Sequence, residues 1–288
     1  MPHDFNQQVI DEFRAHHGRV GGPFEGARLL LLTTTGARSG RPHTTPVGYL
    51  PDGPERVLVI ASAGGADRHP AWYHNLRVHP RVTVENGVFT YAAQAVVLTG
   101  EERDQAFARA VEADPGWAAY QEKTRRVIPV IALYQTAPDG PPKINARSLG
   151  EALRLVHDAF RHELALIREE MSTQPSATAS PTLGAQLRAN CLTFCHGLHN
   201  HHTGEDLGLF PALADRHPEA APVLARLREE HEKIASLVAD LRHAVTTPSD
   251  PATARAEVAR LTTALEAHLA YEEQELIPLL DAPAGLTG

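Results

Sequence analysis

Cysteine is nearly absent from this 288-residue chain: Cys191 and Cys195, four positions apart, are the whole supply. Two such residues cannot build a disulfide framework, so a reducing, cytoplasmic setting is expected. Long apolar runs are missing as well. No stretch approaches the ~20 residues that a membrane helix needs, which excludes membrane insertion at the level of sequence. The opening MPHDFNQQVIDEFRAHH carries acids and no apolar core, unlike a signal peptide. Positive charge is also short. Lys and Arg number 27 against 35 Asp and Glu, a formal net charge of -8, which argues against a nucleic-acid or anionic-membrane partner.

Histidine, by contrast, is plentiful. Of 17 histidines, ten fall at or after His157, and neutral imidazole is the commonest metal-ligating side chain. The length suits about two domains, and the periodicity changes along it. In the first half, short apolar runs (Leu29 to Leu32, Val57 to Ile60) are punctuated by TTGARSG and PDGPE turns. Further strands are expected at 82–85, 88–98 and 127–135, with ENG as a hairpin turn, and helices at 4–16, 70–78, 101–113 and 115–124. Short strands at hairpin spacing predict a small antiparallel barrel.

PDGPPKINARSLG, 138–150, reads as a domain connector. Beyond it the apolar spacing becomes helical. Leu149, Leu153, Val156, Phe160, Leu164 and Ile167 form one stripe, and after the serine- and threonine-rich segment 172–182 come helices at about 183–206, 219–245 and 251–280. Four amphipathic helices predict a four-helix bundle. The whole is a two-domain α+β chain, barrel first (1–140), all-α bundle second (148–282).

Polar residues interrupt those apolar stripes. His157 lies on the first helix and His231 on the third; His201 and Glu205 continue the face of Leu187, Cys191, Phe194 and Leu198; His268 and Glu272 continue Leu261 and Leu265. Residues i and i+4 share a helix face, so His-x-x-x-Glu lets one helix offer a nitrogen and an oxygen to adjacent metals. A single buried histidine is more often a packed core residue than a ligand. Two buried glutamates ringed by histidines have no inexpensive metal-free explanation, because desolvating a carboxylate costs several kcal/mol. Mixed nitrogen and carboxylate donors suit iron better than closed thiolate zinc sites. His196 and His199 project away from this face, and the Cys191–Cys195 pair reads as small packed thiols.

The segments LRLVHDAF, HHTGEDLGLFP, LREEHEKI and HLAYEEQELIP, within about 148–282, resemble the hemerythrin-like (HHE cation-binding) family. The resemblance implies two non-haem irons held by His157, His201, Glu205, His231, His268 and Glu272, with both glutamates bridging. Oxygen-carrying hemerythrins have a further histidine where this chain has Ala235, leaving His202 or Asp206 to supply that donor and favouring reactivity over reversible carriage.

Two glycine turns mark the first half: TTGARSGR, with cationic Arg38 and Arg41, and ASAGG, leading into a helix near Pro70. Alone they are weak signals for an anion site. With LTTTGARSGRPHTTPV, ASAGGADRHPAWYHNL and RVIPVIAL, spanning about 25–136, the chain resembles the deazaflavin-dependent nitroreductases. These are split β-barrel (FMN-binding-like) proteins that use coenzyme F420 to reduce nitro compounds or quinones. The resemblance implies that Arg38, Ser39, Gly40 and Arg41 meet the phosphate and tail, and that Thr45, Pro46 and Val47 run along the deazaflavin. Ser62, Gly64, Gly65, Trp72 and Asn75 would line the rest, with Tyr120 and Tyr134 on the substrate side. This chain departs from the family at Ala63, often lysine, and Asp67, often proline.

The expected protein is an oxidoreductase. It would join an F420-binding reductase domain to a di-iron site that acts on O2, peroxide, NO or a small organic substrate, in an assembly that allows a homodimer. The rival is a non-enzymatic iron or oxygen sensor with a degenerate barrel.

Overall fold

In a computed structural model, residues 2–136, 142–173, 183–247 and 251–282 are described. Positions 138–141 of the expected connector and 174–182 of the following loop lie outside them. The chain divides into two units, Met1–Asn145 with Gly184–Asn190, and Ala146–Leu183 with Cys191–Gly288.

The first unit is built on strands β1 (Leu29–Thr35), β2 (Pro42–Pro51), β3 (Arg56–Ile60), β4 (Arg81–Asn86), β5 (Phe89–Val97) and β6 (Val130–Gln135). They run β4-β1-β2-β3-β6-β5, and a β4–β5 pairing closes them into an antiparallel barrel. Helices α1 (Pro2–Ala15), α2 (Ala71–Val78), α3 (Gly100–Ala113) and α4 (Gly116–Glu122) lie close to their expected spans.

Strands β1, β3 and β6 carry apolar runs because both of their faces are covered. Leu30 and Leu32 of β1 join Val59, Trp72, Val84, Ile131 and Leu133 inside the barrel. Their neighbours Leu29 and Leu31 point outward onto Val9, Ile10 and Phe13 of α1. Likewise Val130 and Ala132 of β6 face Ala106, Phe107 and Ala110 of α3. Each fully buried leucine contributes about 1.5–3 kcal/mol, enough to set the inside–outside register.

Strand β2 was not expected, since PHTTPVGYLP carries three prolines. Pro46 pairs with Leu31 of β1, whereas β3 meets β2 only at Tyr49, Leu50 and Pro51. The missing proline N–H therefore falls where β2 lacks that second neighbour and is tolerated. A second correction concerns the connector, where β7 (Lys143–Ile144) pairs with Phe89 and Thr90 of β5.

The second unit contains α5 (Leu149–Thr173), α7 (Phe210–Arg216), α8 (Ala221–Thr246), α9 (Pro251–Leu280) and, from Cys191 on, α6 (Ala185–Gly204). Leu149 is exposed rather than part of the buried stripe, which starts at Leu153. The second long helix does not stop near 206. It passes through a π-helical turn, Glu205–Leu209, directly into α7. Leu153, Phe210, Leu213, Leu224, Leu227, Leu276 and Leu280 form one apolar layer between the helices. Among the described residues, no helix is long and apolar enough to cross a membrane.

Candidate metal centre and candidate cofactor turns

Two constellations of buried donors meet in the second unit. His202, His231 and His268 form one, and His157, His201, Glu205 and Glu272 the other, each with ligand atoms within 4.8 Å of one another. Glu205 links them, with Oε1 3.2 Å from His201 Nε2 and Oε2 3.7 Å from His231 Nε2. Glu272 links them again, its Oε2 standing 3.5 Å from both His157 Nε2 and His268 Nε2. All the residues expected as ligands are thus brought together, and His202 joins them. Its ring stacks on that of His231 at 4.1 Å, whereas Asp206 serves a different purpose.

That purpose is orientation. Asp206 Oδ1 accepts a hydrogen bond from His231 Nδ1 at 3.0 Å, Glu230 Oε2 from His268 Nδ1 at 3.1 Å, and Glu273 Oε1 from His157 Nδ1 at 2.9 Å. A proton held on Nδ1 leaves the Nε2 lone pair facing inward, the arrangement found behind metal-bound histidines. Glu230 and Glu273 went unnoticed in the sequence because each serves a histidine on another helix. Their only local signal is acidity next to a candidate ligand, at Glu230-His231 and Glu272-Glu273.

The inward atoms have no partners. The Nε2 atoms of His157, His201, His202, His231 and His268 and both oxygens of Glu205 and Glu272 are buried without a hydrogen bond. Such groups are rare in folded proteins, because each forfeits its hydration uncompensated. Burial lowers the basicity of every one of these histidines, and at His201 and His202 the neighbouring rings add to it. Burial also raises both carboxyls well above the usual range, and Glu272 raises Glu205 further. Without cations the centre therefore holds neutral imidazoles and protonated carboxyls. A pair of divalent cations would reverse both penalties, so the donor set fits metal.

The π turn explains how one helix supplies so much of this. His201, His202 and Glu205 follow helical spacing, but the next fully buried side chain is Phe210, five residues on. The extra residue of the π turn absorbs that offset. Phe210 stacks on His231 at 5.4 Å and supplies apolar cover, whereas Asp206 supplies the hydrogen bond. His196 and His199 are exposed, as expected. Cys191 and Cys195 are buried, and burial pushes the Cys195 thiol up to about 12, the state of a packed side chain.

In the barrel, the strand directions bring both glycine turns to one end. β1 and β3 each run antiparallel to β2, so the turns that follow them leave from the same side. Arg38, Ser39, Gly40 and Arg41 are exposed on the first turn, and Thr45, Pro46 and Val47 are half-buried on β2. Asn75 of α2 is committed to the protein itself. It accepts from the Ala37 N–H at 3.0 Å and donates to Thr34 Oγ1 at 3.0 Å, fastening α2 to the first turn. Trp72 likewise packs into the barrel core. Both therefore support the turns from behind instead of lining an open surface.

In the second turn, Ser62 is helical, and Ala63, Gly64 and Gly65 all have positive φ, at 48°, 64° and 83°. Gly65 is obligatory, since a Cβ there would lie 2.7 Å from the Tyr120 carbonyl oxygen. Tyr120 thus stands beside this turn through its backbone, and its ring packs on Trp117. Tyr134 does not belong with it. It pairs in register with Arg56 at the opposite end of β3, and its hydroxyl accepts from Arg56 Nη1. Asp67 accepts from Thr124 Oγ1 at 2.9 Å, and its charge partly offsets the burial that lowers the basicity of Arg126. The acid that departs from the family pattern is therefore paired.

Residues 6–135 match the F420H(2)-dependent quinone reductase family, and residues 148–280 match the hemerythrin HHE cation binding domain. An F420H(2)-dependent quinone reductase of Mycobacterium tuberculosis is 36% identical over 125 residues, which are 42% of this chain and 83% of the relative. Among solved structures, an F420-H2 dependent reductase is 39% identical, covering 37% of this chain and 93% of its own, with a TM-score of 0.34. A protein solved as a domain-swapped dimer is 35% identical, covering 46% of this chain and 99% of its own, with a TM-score of 0.36. With a relative so similar along most of its length, the chain belongs to the F420H(2)-dependent quinone reductase family of oxidoreductases, and it carries a hemerythrin HHE cation binding domain behind the reductase barrel.

Proposed function

We propose that the barrel binds reduced coenzyme F420 for transfer to a quinone-type acceptor, and that the bundle binds two iron ions that act on O2, peroxide or NO. The observation that carries the metal reading is the convergence of five Nε2 atoms and four carboxylate oxygens with no hydrogen-bond partner. In this reading Glu205 and Glu272 would be shared by the two ions, since each reaches one histidine of either constellation. His202, His231 and His268 serve one ion; His157 and His201 serve the other. Iron so held supplies one-electron redox chemistry. Burial keeps the imidazoles neutral, Asp206, Glu230 and Glu273 orient three of them, and Phe210 shields His231. His201, with a side chain 13% exposed, is the most open of the seven and marks the side from which a small oxidant enters.

At the barrel, the reduced form of F420 would supply a hydride when bound. Arg38 and Arg41 would offer exposed cations to its anionic parts, and Thr45, Pro46 and Val47, half-buried on β2, would supply the apolar side of its site. Hydride donation moves two electrons and iron changes by one, so the two sites are read as separate reaction centres.

Elemental analysis tests the first reading: about two irons per chain are expected, lost in a Glu205→Ala, Glu272→Ala double variant. One tightly held zinc, or unchanged metal in that variant, refutes it. Equilibrium binding of reduced and oxidised F420 tests the second, and no measurable affinity removes it.

A further inference from the structure

Ala63, Gly64 and Gly65 take left-handed backbone conformations in succession, a run that an L-residue such as Ala63 does not favour. The turn's own hydrogen bonds are few: Ser62 N–H to Ile60 O, Gly65 N–H to Ser62 O and Ala66 N–H to Ala63 O. What fastens it is one side chain from a distant segment. Arg126 Nε donates to Ala66 O at 2.8 Å, Nη1 to Ala61 O at 3.1 Å and Nη2 to Ser62 O at 2.5 Å. A single planar guanidinium thus collects three carbonyls from both ends of the turn, a task suited to its fixed fork of donors. Nη1 also lies 3.0 Å from His69 Nδ1.

The clamp is itself held. Arg126 N–H donates to Thr124 Oγ1 at 3.3 Å, the Arg126 carbonyl accepts from Gln121 Nε2 at 2.7 Å, and Gln121 Oε1 accepts from the Ile128 N–H at 3.0 Å. In a trans peptide the N–H points opposite to the C=O. Drawing the Ser62 carbonyl onto Arg126 therefore turns the Ala63 N–H away from it, toward the exposed side of the turn.

We propose that Arg126 is a positioning residue for the barrel's ligand: by gathering the carbonyls of Ala61, Ser62 and Ala66 it fixes the face that the Ala63–Gly64 backbone presents. This rests on the reading of that end of the barrel as the F420 site.

The test uses the full chain with Arg126→Ala, Arg126→Lys and, for comparison, Arg103→Ala. Arg103 also donates to a backbone carbonyl, that of Ile128, on the outer face of the barrel. Two quantities are followed: the Kd for reduced F420, and hydrogen exchange of the amides at Ser62, Gly65 and Ala66 in the ligand-free chain. Arg126→Ala is expected to raise Kd about tenfold or more, the size that fits the loss of charge-assisted hydrogen bonds, and to speed exchange in the turn. Arg126→Lys restores neither, since an ammonium cannot span three carbonyls. Guanidinium ion at tens of millimolar restores both to Arg126→Ala and has no such effect on Arg103→Ala. Unchanged Kd and exchange in Arg126→Ala overturn the proposal. So does a loss that guanidinium does not reverse and that Arg103→Ala reproduces. If the unaltered chain fails to bind F420, the cofactor reading falls, and the exchange arm still decides whether Arg126 sets the turn.

Discussion

Loading the metal-free bundle with ferrous iron is expected to release protons. Burial raises Glu205 and Glu272 well above the usual carboxyl range, so both favour their protonated forms near neutral pH. The five histidines are lowered by burial and are already neutral there. Two bridging carboxylates must ionise when the ions enter, while the imidazoles have nothing to give up. Because the two carboxyls titrate as a pair, the release lies between about one and two protons per chain at about pH 7. Metal affinity then rises roughly tenfold per pH unit for each proton released. The linked stability has a definite sign. A group whose folded pKa is raised adds stability below its unfolded pKa, about 4.3 for glutamate, and loses it as pH climbs through the folded value. The lowered histidines act in the opposite sense, but their contribution is complete above about pH 7. The metal-free Tm is therefore expected to fall between about pH 7 and 9. The assay is an anaerobic titration in weak buffer with a pH indicator, with a Glu205→Gln, Glu272→Gln variant as control. Absence of proton release, or proton uptake, refutes the reasoning.

Three further outcomes follow from the geometry. Asp206→Asn or Glu230→Gln is expected to weaken metal binding about 10- to 100-fold while all seven inward side chains remain, measured by competition with a chelator. Tyr134→Phe should leave kcat/KM for F420-dependent reduction within about twofold and cost roughly 1 kcal/mol of stability through the lost Arg56 hydrogen bond; a large kinetic loss contradicts its placement far from the turns. Gly65→Ala puts a Cβ 2.7 Å from the Tyr120 carbonyl at a φ that alanine disfavours. F420 affinity and Tm should both drop, and a variant equal to the parent in both would show that the turn is not rigid.

The helical half was legible because its apolar spacing and its ligands obey one period. His157, His201, Glu205, His231, His268 and Glu272 all lie where that period puts them. His202 was harder, since helical phase places it one position round from its neighbour, and only the packed rings show that both face inward. The offset between Glu205 and Phe210 was invisible, because a π turn has no composition of its own. In the barrel, prolines concealed β2, and a list of polar residues could not separate Asn75, whose amide is consumed internally, from residues free to meet a ligand. Arg126 escaped notice for a related reason: its partners are carbonyls, which every sequence contains.

The carboxylates behind the histidines follow an order that bears on assembly. Asp206 of the π turn holds a histidine of α8, Glu230 of α8 holds one of α9, and Glu273 of α9 holds one of α5. No helix aims its own ligand by this means. A hairpin of α8 and α9 would keep Glu230 on His268 but leave His231 without Asp206, and α5 alone would leave His157 without Glu273. The three histidines are therefore all oriented only when α5, the π turn, α8 and α9 are together, so metal affinity is a readout of the assembled bundle.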